Sequence, residues 1–233
     1  MLPFLMLIAV GALIAVAYIH FVKGQPTASS PPAASGQSPT ASSSPSTNLG
    51  RWRHITTRAG DSGPLRLAEL FPARFNTGGT TATRTIDRAG KNCAASVIGS
   101  GLASAVGKAH CTQVMRASYL STAQKIMGTI GVLNLGNATA AEHAGKASGR
   151  SAFIKQLPAA HGPTHRLAKG TGLEEAVLKG HYLILIWAEF TNLHSPSSAA
   201  RKAALNQFST NLFNGTANVS LTSRMVTGKP LAP

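Results

Sequence analysis

The 233-residue chain carries 22 Lys and Arg against 7 Asp and Glu, a net charge of +15, and 43% of its residues are hydrophobic. That apolar share excludes a wholly disordered chain, which would need lower hydrophobicity and denser charge. Two cysteines exclude a disulfide-dense mini-protein, and no heptad or longer repeat is present.

Residues 1–23 read as a membrane anchor. Leu2 to Val22 is 21 residues without a Lys, Arg, Asp or Glu. As a helix it spans roughly 30 Å, about one hydrocarbon core. The rival reading is a cleaved signal peptide, whose shorter apolar core would end in a small-x-small site; here Ala17 is followed by Tyr-Ile-His-Phe-Val-Lys. Residues 24–50 form a tether in which Ser, Pro, Thr and Ala fill 20 of 27 positions and none is charged. With no periodic apolar face it is expected to be disordered, with a reach of about 30 Å.

Residues 51–233 hold 21 of the 22 basic residues and all seven acidic ones, a net +14, and are long enough for one domain with a real core. Orientation is read two ways. Lys23, Arg51 and Arg53 lie C-terminal to the span, which by the positive-inside rule keeps the domain in the cytoplasm. The stalk, the cysteine pair and the N-terminal position of the span favour a domain outside the cell. A start upstream of Met1, adding basic residues before the span, would reconcile the two.

Within the domain, Leu65 to Pro72 predicts a short helix stopped by Pro72. Thr80 to Asp87 predicts a strand, and Asn92 to Ala109 a helix despite Gly99 and Gly101. Cys111 to Leu120 and Ile126 to Leu135 predict a hairpin, followed by a helix from Ala138 to about Ala147 capped by Asn137. After a loop from Phe153 to Gly172, a second hairpin pairs Leu173–Lys179 with His181–Phe190. It is apolar on both faces, as a central pair is. Ser198 to Phe213 predicts an amphipathic helix, and Val219 to Val226 is either a last strand or a helix extension. The order suggests an α+β fold: a ferredoxin-like antiparallel sheet packed with helices, β-α-β-β-α-β plus an extra strand and helix.

Outside the cytoplasm, Cys93 and Cys111 are expected to be bonded. An unbroken helix over 93–109 would hold its ends about 24 Å apart, whereas a bridge needs Cα atoms within ~7 Å. The bond therefore requires a break near Gly99–Gly101; two buried thiols are the alternative.

The chemical motifs read as structure. Gly60 to Pro64 (GDSGP) resembles the nucleophile segment of trypsin-like proteases, but no Asp precedes Asp61 and the triad order fails; a turn is the better account. Gly99 to Lys108 meets neither the dinucleotide nor the P-loop pattern and reads as small residues on a packed helix. His161 and His165 flank a helix-breaking Pro163. His181 and Glu189 would lie at opposite ends of one strand. Glu174–Glu175 is expected to pair with Lys169, Lys179 or Arg166. No catalytic, cofactor or metal residue is assigned, and no cofactor is expected.

Leu67 to Pro72 (LAELFP), Asn92–Cys93, Cys111 to Tyr119 (CTQVMRASY), Gly128 to Leu135 (GTIGVLNL) and Gly180 to Phe190 (GHYLILIWAEF) together resemble uncharacterised envelope proteins of actinobacteria. These have an N-terminal span, a low-complexity stalk and one outer domain. The resemblance covers roughly residues 65–225, implies a domain outside the membrane and carries over no activity. The chain is thus read as a single-pass, membrane-anchored extracytoplasmic domain that binds or senses at the envelope, leaning non-enzymatic. The alternatives are a cell-wall-modifying enzyme and a basic adaptor docking to anionic lipid or wall polymer. Its expected partners are membrane lipid through the anchor and an anionic envelope polymer or another envelope protein. Nucleic acid is disfavoured because the basic residues are scattered and no recognition motif is present.

Overall fold

The computed structural model describes residue 50, residues 52–61 and residues 63–231. The expected span and, except for Gly50, the expected tether lie outside the described residues. Among those residues no helix is long and apolar enough to cross a membrane.

The domain is α+β. Six strands form one sheet in the order β1-β2-β3-β4-β6-β5. They are β1 (Arg74–Thr77), β2 (Thr80–Gly90), β3 (Gln113–Ser121), β4 (Ile126–Asn134), β5 (Gly172–Lys179) and β6 (Tyr182–Phe190), and every neighbouring pair is antiparallel. The helices are α1 (Leu67–Leu70), α2 (Ser100–Lys108), α3 (Ala138–Lys146), α4 (Ala199–Asn214) and α5 (Ala217–Thr227). Asn137 and Ser198 cap α3 and α4 through side-chain oxygens that accept from the Ala140 and Arg201 amides, as residues of this type do at a helix start. The segment at 219–226 is helical, within α5.

Both faces of the sheet are covered, so β4 and β6 are buried at every position. Along β6 the side chains alternate. Tyr182, Ile184 and Ile186 pack with Leu205, Phe208 and Leu212 of α4 and Leu221 of α5. Leu183, Leu185 and Trp187 pack on the other face with Leu102 and Val106 of α2, Ala141 and Ala144 of α3, and Ile154. The second hairpin is central only in its β6 half. β5 is the sheet edge, and its apolar Leu178 is 40% exposed.

A ferredoxin-like split βαβ arrangement would place another strand between β2 and β3. The structure pairs them directly, with Gly90 opposite Val114. The chain therefore leaves and re-enters the sheet at the same end. A disulfide joins Cys93 to Cys111 across this excursion, with Cα atoms 6.1 Å apart. The helix expected over 92–109 is broken to permit it. A single 3-10 turn (Ala94–Ser96) precedes Gly99, whose φ is +91°, and α2 starts only at Ser100. A Cβ at Gly99 would also lie 2.9 Å from the Cβ of Ala152. By contrast, Gly101 and Gly107 face open space, so close packing does not explain the glycines within α2.

Candidate functional site

Five polar side chains are buried in one network, of which only Asp61 lies in a motif weighed for chemistry from the sequence. Arg224 of α5, fully buried, directs its guanidinium at two carboxylates. Nε and Nη2 donate to Glu69 at 2.6 and 2.8 Å, and Nη1 donates to Asp61 Oδ1 at 2.8 Å. Nη1 and Nη2 also donate to the carbonyls of Gly63 and Pro64. The Tyr182 hydroxyl donates to Asp61 at 2.6 Å and Ser220 donates to Glu69 at 2.7 Å. Burial alone opposes the Arg224 charge, but the hydrogen bonds that it donates to Glu69 and the nearby Asp61 charge outweigh it and raise its pKa above the ordinary value. Burial, and then the bond to Asp61, raises that of Tyr182. A guanidinium has five N–H groups, and here each has an acceptor. The network leaves Arg224 nothing for a substrate. It fastens Asp61 and α1 to α5, and Asp61 directly follows the turn closed by the Gly60 amide on the Thr57 carbonyl.

The remaining sequence candidates are dispersed. His181, in the turn before β6, faces the Ile55 carbonyl through Nδ1 at 2.8 Å, and burial lowers its pKa. Glu189 sits near the other end of β6, where the Trp187 indole donates to it at 2.9 Å and burial raises its pKa. Eight strand residues separate the two by about 27 Å. His161 and His165 are exposed in the 160–166 loop. Glu174 and Glu175 are half-buried on β5, and burial raises the Glu175 pKa. Lys179, one of their expected partners, carries its ammonium to Asn218 and Thr222 of α5 and lies over the Phe213 ring. Among the described residues no three His, Cys, Asp or Glu side chains gather to hold a metal ion.

A groove of about 530 Å³ lies where β2 and β3 meet the chain around Ser96 and Leu157. Its lining includes Arg88, Lys91, Arg116 and Lys155, and no carboxylate. The nearest acid along the chain, Asp87, is paired with Arg84 at 2.8 Å. Arg88 and Arg116 are direct cross-strand partners, a placement in which like charges repel. Burial first, and the Arg88 charge second, lower the Arg116 pKa; a guanidinium stays charged even so.

The groove wall is fixed from both sides. Arg116 Nη1 donates to the Lys155 carbonyl at 2.9 Å, and the Lys155 amide donates to the Ser96 carbonyl at 2.9 Å. Beneath it, the Ser118 hydroxyl donates to the Leu157 carbonyl at 2.7 Å, while the Leu157 amide donates to Thr129 at 3.1 Å. The disulfide holds the other rim, since Lys91 and Asn92 directly precede Cys93. Sequence reading missed this assembly because its cations come from three separate stretches. The Arg88–Arg116 pairing was readable only once the strand register was known.

Comparison with protein-family models, with curated proteins and with solved structures found no match to this chain.

Proposed function

We propose that this is a binding or sensing domain of the cell envelope, non-enzymatic, whose basic groove holds an anionic ligand. The observation that carries the reading is a pre-formed groove lined by four cations and no acid. Repulsion between Arg88 and Arg116 is a standing cost in the empty groove, and a bound anion relieves it. The net charge of +14 on residues 51–233 draws polyanions to the same domain over longer range. No His, Asp or Glu lines the groove to transfer a proton, which favours binding over hydrolysis of wall material.

The Cys93–Cys111 bond supports placement of the domain in an oxidising compartment outside the membrane. The Leu2–Val22 segment would anchor it there, with the Ser/Pro-rich stretch as spacer. The test is co-sedimentation of the full-length chain, in non-ionic detergent, with anionic and with neutral wall polymers across a salt series. Retention should be confined to the anionic polymer and fall steeply as salt rises. Equal retention by the neutral polymer would overturn the reading. Protease accessibility in intact cells tests the orientation: a domain protected until lysis would refute an outward location.

A further inference from the structure

We infer that the groove ligand is a phosphoryl group carried on a sugar or polyol, clamped between Arg88 and Arg116; this rests on the anion-binding reading above. Arg88 and Arg116 face one another across antiparallel strands. Opposed Cβ atoms in such a pair lie about 5 Å apart, so both side chains leave the same face of the sheet, and Arg116 keeps N–H groups beyond the one that it gives to the Lys155 carbonyl. Bidentate guanidinium donors match the oxygens of a tetrahedral phosphoryl group, and two forks supply more donors than one carboxylate accepts. Lys91 and Lys155 add charge around them.

The carrier is read from what else lines the groove. Asn92 has its Oδ1 engaged by the Ala95 amide at 3.0 Å, so its remaining side-chain capacity is as a donor. Gln156 adds an amide able to meet hydroxyls. No aromatic side chain is in the lining, which leaves a nucleobase or aryl ring no stacking platform. A volume of about 530 Å³ exceeds that of a bare oxyanion and leaves room for a hydroxylated carrier.

Calorimetric titration of the full-length chain in non-ionic detergent at low salt tests this with inorganic phosphate, glycerol 1-phosphate and glycerol. Glycerol 1-phosphate should bind at least as tightly as phosphate, and glycerol should not bind. Arg88→Ala removes one charge-assisted contact and the pair Arg88→Ala/Lys155→Ala two; each should weaken binding about tenfold or more, while relief of the repulsion on Arg116 keeps the melting temperature at or above that of the natural chain. Arg88 and Lys155 are exposed, so these variants fold even where an Arg116 substitution does not. Lys169→Ala, in a different loop, should leave binding unchanged. Retained binding in both Arg88 variants would sink the clamp and leave only diffuse polyanion attraction. A single-stranded oligonucleotide, or phosphatidylglycerol in mixed micelles with the same detergent, outcompeting glycerol 1-phosphate would overturn the ligand class. Absence of binding by every anion would refute the broader reading as well.

Discussion

Replacing Arg224 with Met removes the cation bonded to two buried carboxylates, Asp61 and Glu69. The side chains of Asp61 and Glu69 are 1% and 2% exposed, and the guanidinium supplies three of their short contacts. Afterwards Asp61 keeps the Tyr182 hydroxyl and Glu69 keeps Ser220, each a single neutral donor. Stranding buried charge in this way costs about 3–5 kcal/mol. Domains of this size are stable by about 5–15 kcal/mol, so the loss takes a large fraction of the total. It corresponds to a melting temperature lowered by roughly 6–20 °C. Denaturant titration of the full-length chain, followed by circular dichroism, should show a lower midpoint at constant slope. Adding Asp61→Asn and Glu69→Gln to Arg224→Met removes the stranded charges and should recover part of the stability. A loss below about 1 kcal/mol, or no recovery in the triple variant, would show that this cluster does not hold Asp61 and α1 to α5.

Glu189→Gln keeps an acceptor for the Trp187 indole and removes a buried carboxylate with a raised pKa. A raised carboxyl pKa weakens the folded state above the ordinary pKa and has no effect once both states are protonated. The variant should therefore be more stable at neutral pH, with the gain fading on acidification; thermal melts at several pH values decide it, and a pH-independent gain refutes the argument. Maleimide should label neither Cys93 nor Cys111 in unreduced protein, native or denatured, and reduction should cost about 3 kcal/mol for a loop this short. Gly180→Ala sets a side chain at φ +59° with its Cβ 2.1 Å from the Ile55 carbonyl, so denaturation should show a loss above about 1 kcal/mol. An unchanged midpoint would mean that the β5–β6 turn and the 52–56 segment yield freely.

What could be read along the chain was local. Periodicity and caps placed most elements to within a few residues, because alternating apolar side chains and an Asn or Ser at a helix start act over one turn or one strand. The required break near Gly99–Gly101 was legible too, since two cysteines cannot bond across an intact helix. Strand order was not. Nothing local shows that β2 and β3 pair directly, or that β5 is an edge while the equally apolar β6 is central. Those choices depend on which faces are covered by distant elements.

The same division holds for the sites. Sequence alone determined an α+β domain rich in cations and poor in acids, with one cysteine pair fit for a bond. Only tertiary structure decided that Asp61 and Glu69 share the Arg224 guanidinium in the interior. It alone brought Arg88, Lys91, Arg116 and Lys155 around one groove with no acid beside them. The physical reason is that charge acts through distance and solvent exposure, and both are fixed only when the sheet register and the covering loops are in place.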